Sequence, residues 1–193
     1  MTPQMPSCAR LLTLLALNFL LLLASVSAER GAVWGTVGGA VVPFSAAVLG
    51  ASGQVGMPLV RRLARRKGVT RVVVLHRRHV PELASIPKVE QWIVPMGAGD
   101  TEALHAMARE KLKGIDAAFV TLGVGKASQV TAAALEHVDV ELPTAFARGA
   151  KAAGVRHMAL MSAVAADLEA ESWFNHTHAG LGLYRRLKGT VER

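Results

Sequence analysis

The sequence predicts an α/β protein with a Rossmann-like, doubly wound parallel sheet. A glycine loop at residues 50–56 follows the apolar run 44–49 and precedes a stretch with apolar residues at helical spacing. A second apolar run, residues 72–75, ends in the basic residues 76–78. Strand, glycine turn, helix and strand, in this order, are the layout of a dinucleotide-binding unit.

The three glycines of the loop have separate physical roles in such a unit. Gly50 lets the chain turn sharply, Gly53 lets backbone N–H groups approach a pyrophosphate, and Gly56 lets the helix pack close to the sheet. The helix N-terminus, with free N–H groups and a partial positive charge, holds the anion. Glycines at this spacing also occur in ordinary turns, but the flanking strand and helix favour the dinucleotide loop.

The tip of the second strand indicates which dinucleotide is bound. NAD(H) usually meets an acidic residue at this position, which hydrogen-bonds the ribose hydroxyls. This chain has Arg77 and Arg78 there, and guanidinium groups can hold a 2′-phosphate through two hydrogen bonds at once. We therefore predict NADP(H) as the cofactor, with NAD(H) less favoured. A solvated basic strand end is the alternative without a ligand.

The remaining elements alternate between strand and helix, as a doubly wound sheet requires. They are strands at 91–94, 116–123 and 155–162, a helix at 101–113 capped by Thr101, and a helical stretch at 132–153 that Pro143 starts or kinks and Gly154 ends. Ligands of an open parallel sheet lie outside the carboxyl ends of its strands. Leu122 and Gly123 are therefore expected beside the dinucleotide.

A tyrosine and a lysine four residues apart predict the catalytic pair. Tyr184 and Lys188 lie on one face of a predicted helix. A nearby ammonium favours phenolate, so we expect a lowered pKa for Tyr184 and proton exchange with an alcohol or carbonyl while hydride moves to or from nicotinamide. Lys188 can also bind the nicotinamide ribose, and Ser162, at a strand end, can orient the substrate oxygen. The alternative is a surface tyrosine on an amphipathic helix.

The ordered set of motifs resembles the atypical short-chain dehydrogenases, and within them the Tat-interacting oxidoreductase-like group. The resemblance covers about residues 46–193 and includes the turn 121–123, the pair Val138-Asp139 and the strand-end Ser162. It implies an NAD(P)-binding Rossmann domain with Tyr184 as proton donor or acceptor. The dinucleotide contacts that it implies are Ser52, Gly53, Gln54, Val55, Arg77, Arg78, Leu122, Gly123 and Lys188.

The sequence departs from that group at three places. Gln54-Val55 stands where the group has Glu-Thr, a change that backbone contacts survive. Ser162-Ala163 stands where the group has a serine pair. The chain ends five residues after Lys188, whereas the group continues with another strand and a substrate-covering region. The expected fold is therefore C-terminally truncated relative to the family.

Composition fits a single domain with a buried sheet. The chain has 193 residues, 51% of them apolar, and a formal net charge of +8. Much of the positive charge lies on and after the first helix, at Arg61, Arg62, Arg65, Arg66, Lys67 and Arg71. Because no aromatic residues interleave with these charges, we favour a solvated helix face over a nucleic-acid surface. Cys8 is the single cysteine, and we predict no metal site.

An apolar leader precedes the predicted fold. Residues 11–26 are almost all apolar, and small residues end the segment at Ala28, so residues 1–28 are expected to be a signal peptide or, less favoured, a signal anchor. Residues 29–43 then form a linker to the Rossmann domain at 44–193. The leader predicts the secretory pathway, the endomembrane system or an organelle, with membrane anchoring through residues 11–26 as the alternative. Entry into the secretory pathway would make Asn175 a glycosylation acceptor.

Two functions of different class follow from these motifs. The first is an NADP(H)-dependent oxidoreductase that acts on an unidentified small carbonyl or alcohol. The second is a non-catalytic, dinucleotide-binding regulatory or scaffold protein. The Tyr184/Lys188 pair supports the first, and the expected truncation supports the second.

Overall fold

A parallel sheet of five strands forms the centre of the larger of two compact units, Met1–Val42 and Pro43–Arg193. The computed structural model describes residues 36–37, 40–124, 130–164, 166–168 and 179–192. The strands are β1 (Thr36–Val37), β2 (Ala40–Val41), β3 (Phe44–Leu49), β4 (Val69–His76), β5 (Val89–Ile93), β6 (Ala117–Val120) and β7 (His157–Leu160). In the smaller unit, β1 and β2 form an antiparallel pair. The predicted leader at 1–28 lies outside the described residues.

Helices lie between the strands of the larger unit. They are α1 (Gly56–Arg65), α2 (Pro81–Ala84), α3 (Thr101–Lys111), α4 (Ala132–Glu136), α5 (Leu142–Ala152) and α6 (Ala179–Val191), with a π-helical segment, His137–Glu141, joining α4 to α5. The order across the main sheet is β5-β4-β3-β6-β7, and every neighbouring pair is parallel. This is the doubly wound Rossmann-like arrangement that the sequence predicts.

Each face of the sheet buries its own apolar core, because successive side chains of a strand point to opposite faces. On one face, Leu49 and Leu75 pack with residues of α3 and α5, among them Phe146. On the other face, Val48 and Val74 pack with residues of α1 and α2. All six residues of β3 are buried, as expected of a central strand covered on both sides.

The carboxyl ends of four strands meet at one edge of the sheet. Leu49 pairs with Leu75 of β4 and with Val120 of β6, and Val120 pairs with Leu160 of β7. The chain leaves β3 for β4 on one side and reaches β6 on the other, so the strand order reverses between β3 and β6. This reversal is the place where open α/β sheets bind their ligands.

A polar cluster fixes the opposite ends of the central strands. The carboxylate of Asp116 accepts hydrogen bonds from the backbone N–H and the hydroxyl of Ser45, at 2.9 and 3.0 Å, and pairs with Arg156 at 2.7 Å. The Ser45 backbone N–H, followed by Arg156 and the Ser45 hydroxyl, holds the pKa of Asp116 below its ordinary value. These contacts tie the entrances of β3, β6 and β7 together.

Most of the predicted elements are confirmed, and their boundaries differ by a few residues. Gly154, with φ of +86°, follows α5 as its end signal. Pro143 lies in the first turn of α5, directly after the π-helical segment, so the helical stretch continues past it. Thr101 is not the cap of α3, because Asp100 takes that position and its carboxylate accepts from the Gly97 N–H.

None of the helices within the described residues is both long and apolar enough to span a membrane.

Candidate functional site

The glycine loop after β3 packs directly against the end of β6. Gly50 has φ of +91°, and a Cβ atom on it would lie 2.6 Å from the backbone nitrogen of Leu122. The hydroxyl of Thr121 lies 3.1 Å from the carbonyl oxygen of Leu49 and 3.2 Å from that of Gly50, to either of which it can donate. The loop therefore begins at a point where two backbones touch and a side chain has no room.

The other two glycines of the loop have different surroundings. A Cβ atom on Gly56 would lie 2.1 Å from the carbonyl oxygen of Gly50, so the start of α1 packs tightly on the loop. A Cβ atom on Gly53 would meet only that same oxygen, at 3.3 Å, and Gly53 is exposed. The protein itself thus occupies the space around Gly50 and Gly56, whereas Gly53 has one tight neighbour, the Gly50 carbonyl oxygen, and is otherwise open to solvent.

The N-terminus of α1 has no side-chain cap, although the Gly53 and Met57 N–H groups already donate to the carbonyl oxygens of Gly50 and Gly53, at 3.1 and 3.0 Å. Val55 is the N-cap residue, its side chain makes no capping hydrogen bond, and the first turn holds no acidic residue. Ser52, Gln54 and Val55 are exposed beside it. Free N–H groups and the positive end of the helix dipole favour an anion at this point.

A cavity of about 400 Å³ lies beside the loop, at the carboxyl edge of the sheet. It is lined by Gly50, Ser52, Gly53, Leu75, His76, Arg77, Met96, Thr121, Leu122, Gly123, Val124, Val130, Ala134, Val138 and Leu142. Six residues predicted to contact the cofactor therefore lie on its wall: Gly50, Ser52, Gly53, Arg77, Leu122 and Gly123. Within the described residues, the other predicted site residues, Gln54, Val55, Gly56, Arg78, Ser162, Tyr184 and Lys188, are not part of this wall.

The tip of β4 places a buried histidine before two exposed arginines. His76 is 6% exposed, and neither ring nitrogen has a hydrogen-bond partner among the described residues. Burial, and to a lesser extent His79, lowers the pKa of His76, so its ring is neutral at pH 7. Arg77 and Arg78 are exposed, with Arg77 on the cavity wall.

A buried ion pair lies behind the end of β6. The Nζ atom of Lys188 and the Oδ1 atom of Asp139 are 2.7 Å apart, and both side chains are fully buried. Opposite charges at this distance, away from solvent, attract each other strongly. The same carboxylate oxygen lies 3.6 Å from the position of a Cβ atom on Gly123, which places the pair directly against the cavity wall.

Tyr184 lies beside this pair, and its titration differs from the expectation. The Nζ atom of Lys188 is 5.7 Å from the centre of the Tyr184 ring. Burial, followed by the negative charge of Asp139, raises the pKa of Tyr184 above its ordinary value. The predicted lowering was wrong because it left out first the burial of the ring and then the carboxylate that accompanies the lysine.

Ser162 follows β7 at the same edge of the sheet. Its hydroxyl is buried and has no hydrogen-bond partner within the described ranges. The predicted acceptor Asn175 lies outside the described residues, as does Cys8. Across the described part of the chain, no group of three or more histidine, cysteine or acidic side chains is placed to hold a metal ion.

Sequence reasoning named Val138-Asp139 as part of the family motif set but missed their roles in the cavity wall and as the partner of Lys188. Val130, Ala134, Val138 and Leu142, from the segment after β6, line the same cavity as the glycine loop. The sequence order does indicate that this segment lies near the ligand, because the helix that follows the strand at the reversal point begins beside the ligand site. Asp139 is one residue from Val138, and nothing local in the sequence indicates that it turns inward.

Comparison with known proteins assigns the class of this site. A family profile described as NAD(P)H-binding matches residues 50–193, and the chain belongs to that family. The structure fits such a ligand on two observations: the open space above Gly53 and the uncapped, acid-free first turn of α1. The protein therefore contains an NAD(P)H-binding domain of the Rossmann type.

The chain is similar to several individual proteins. Protein FMP52, mitochondrial, from Eremothecium gossypii is 30% identical over 153 residues, which are 78% of this chain and 58% of that protein. The oxidoreductase ylbE from Lactococcus lactis has a TM-score of 0.60 at 21% identity, over 77% of this chain and 61% of its own. NADPH-bound carbonyl reductase from chicken fatty liver has a TM-score of 0.60 at 16% identity, over 84% and 70%. The last two share the fold.

Replacing Gly53 should separate ligand binding from folding. In Gly53→Val we expect a folded protein that loses NADPH affinity, because the branched side chain fills the open space where a pyrophosphate approaches the backbone. Gly53→Ala should lose less. Gly56→Val is the matched control and should lose stability, since its Cβ atom would collide with the loop. Calorimetric NADPH titration and thermal unfolding measure the two effects, and full NADPH affinity in Gly53→Val would contradict the assignment.

Proposed function

We propose that the protein is an NADP(H)-dependent oxidoreductase of the atypical short-chain dehydrogenase type, in the Tat-interacting oxidoreductase-like group, which reduces a small carbonyl compound. The observation that carries the proposal is the grouping of an NAD(P)H-binding cavity with a tyrosine–lysine–aspartate cluster behind Gly123. The similarity of fold to an NADPH-bound carbonyl reductase supports the same class of reaction.

The chain's own residues divide the work of binding. The positive end of α1 holds the pyrophosphate, with contacts at Ser52, Gln54 and Val55, while Gly53, whose N–H donates to the Gly50 carbonyl oxygen, lets the ligand approach the backbone. Arg77 and Arg78 hold a 2′-phosphate. Leu122 and Gly123 contact the ligand from the end of β6. Both residues line the cavity, which supports this role.

The proton of the reaction comes from the tyrosine. When bound, a reduced nicotinamide would supply the hydride that the carbonyl carbon receives. Tyr184 gives its phenolic proton to the carbonyl oxygen, which yields the alcohol, and then recovers a proton from solvent. Ser162 orients the substrate oxygen, and Lys188 serves the phenol and the nicotinamide ribose. A raised pKa of Tyr184 keeps the phenol protonated at neutral pH, as a proton donor requires.

A regulatory, non-catalytic dinucleotide-binding protein is the second candidate. One observation favours it: neither Tyr184 nor Lys188 belongs to the described cavity wall. Incubation of the protein with NADPH and a panel of small aldehydes and ketones separates the two functions. Oxidation of NADPH supports the enzyme, whereas tight NADPH binding without turnover on any carbonyl supports the regulator.

We further propose that the apolar leader directs the protein to the secretory pathway, the endomembrane system or an organelle. The relative FMP52 is named as a mitochondrial protein, which supports an organelle as the destination. Cleavage after Ala28 should give a mature chain that begins near Glu29. N-terminal sequencing of protein from its native host measures this, and a chain that retains residues 11–26 would support a membrane anchor.

The arginine pair at the tip of β4 should set the cofactor preference. The protein should bind NADPH more tightly than NADH, and Arg77→Ala/Arg78→Ala should remove most of that preference. Hydrogen bonds to charged groups contribute about 1.5–3 kcal/mol each, so NADPH affinity should fall about tenfold or more per lost contact. Arg61→Ala/Arg62→Ala removes the same charge from exposed positions of α1 and is the control. Equal affinities of the parent for both nucleotides would contradict the prediction.

Replacing the tyrosine should remove chemistry and spare binding. Tyr184→Phe keeps the ring and its packing but cannot donate a proton, and general acid catalysis contributes about 10²–10⁴-fold to rates. We expect carbonyl reduction to fall by about that factor while NADPH affinity stays at the parent value, measured by nicotinamide absorbance and fluorescence. Lys188→Ala should impair both properties. Activity of Tyr184→Phe within a few-fold of the parent would exclude Tyr184 from the reaction.

A further inference from the structure

A fully buried ion pair lies between the cavity wall and the proposed proton donor. Asp139 and Lys188 are 2.7 Å apart with no exposed side-chain surface. Lys188 faces the Tyr184 ring from 5.7 Å, and Asp139 abuts Gly123. Of the described acidic side chains, Asp139 alone is fully buried, so its charge acts where solvent screens least.

We infer that Asp139 is a positioning residue that holds Lys188 and cancels its charge, so that Tyr184 remains a neutral phenol. The use of that phenol as a proton donor rests on the proposed function. The protonation of Tyr184 itself does not depend on it, and it can be measured without cofactor or substrate.

The inference follows from the opposite effects of the two charges on one ring. An ammonium group near a phenol favours the phenolate, and a carboxylate favours the neutral phenol. At 2.7 Å the two opposite charges offset each other in part at the ring. Removing Asp139 would therefore leave the charge of a protonated Lys188 unopposed beside Tyr184.

The other charged groups around α6 do not replace Asp139 in this role. On the π-helical segment, His137 and Glu141 bind each other at 2.6 Å. Glu136 of α4 and Asp167, whose backbone N–H donates to the Arg185 carbonyl, are exposed and screened by solvent. On α6 itself, Arg185 is half-buried and Arg186 is exposed, and as cations neither can take the place of a carboxylate.

The protonation state of Tyr184 determines which direction of the reaction it can assist. A neutral phenol can donate a proton to a carbonyl oxygen, whereas a phenolate can only accept one. By keeping the phenol neutral, Asp139 favours carbonyl reduction over alcohol oxidation at neutral pH.

The experiment uses Tyr184 as its own reporter, because it is the single tyrosine of the chain. Phenolate absorbance in the near ultraviolet is followed against pH in the full chain, and circular dichroism at each pH confirms that the protein is folded. Asp139→Asn should titrate at lower pH than the parent. Asp139→Glu should stay close to the parent. Glu141→Gln, which removes one negative charge from the same segment without touching Lys188, should leave the midpoint unchanged.

An unchanged or raised midpoint in folded Asp139→Asn would overturn the inference. If that variant does not fold, Lys188→Met and Asp139→Leu/Lys188→Met carry the test, since buried ion pairs often tolerate apolar replacement. Lys188→Met keeps the carboxylate without its cation and should titrate at higher pH than the double variant. Equal phenolate midpoints in Lys188→Met and in Asp139→Leu/Lys188→Met would also overturn the inference.

Failure of the inference and failure of the proposed function give different results. If Tyr184→Phe retains turnover but Asp139→Asn lowers the midpoint, the oxidoreductase mechanism is wrong and the role of Asp139 stands. If Tyr184→Phe loses turnover but the midpoint does not move in Asp139→Asn, the mechanism stands and Asp139 is a structural residue alone.

Discussion

The contact between the backbones of Gly50 and Leu122 is the constraint on which the rest of the site depends. The paired ends of β3 and β6 meet at Leu49 and Val120, and the chain must turn away from that meeting within one residue. A side chain at Gly50 would occupy the position of the Leu122 backbone. After this turn the loop leads into α1, whose N-terminus lies at the carboxyl edge of the sheet. The cavity is the space between this loop and the helical stretch after β6.

The two ends of the cavity differ in electrostatic character. At the loop end, free N–H groups of α1 and the exposed guanidinium of Arg77 give a positive surface without a nearby carboxylate in the first turn. Behind Gly123, the buried charges of Asp139 and Lys188 balance each other. A dinucleotide carries its negative charge on phosphates and its reactive ring at the far end. The positive loop therefore suits binding, and the balanced cluster suits chemistry that moves a proton without changing the net charge around it.

The sequence predicts the fold well because the signals for it are local. Buried parallel strands such as β3 and β4 are continuous apolar runs, and the glycine spacing of 50–56 reports close packing within the loop itself. Gly53, Arg77 and Gly123 could be predicted to line the cavity, because they lie at a strand end or in the loop that follows one. What the sequence could not give depends on contacts between distant residues. Asp139 meets Lys188 because α6 packs on the π-helical segment. The titration of Tyr184 was predicted in the wrong direction because neither the burial of its ring nor the nearby Asp139 can be derived from the local sequence.

The ion pair also limits how Lys188 can take part in binding. Separating a buried pair costs about 3–5 kcal/mol, because each charge is left without a partner in a medium of low dielectric constant. A hydrogen bond from a charged group to a ribose hydroxyl returns about 1.5–3 kcal/mol. Binding of a dinucleotide therefore does not provide enough free energy at this one contact to draw Lys188 away from Asp139. An ammonium group has three N–H donors, so Lys188 can contact a ribose while it stays paired. In the proposed mode of binding, the ribose approaches the lysine next to Gly123, where a residue without a side chain separates Asp139 from the cavity.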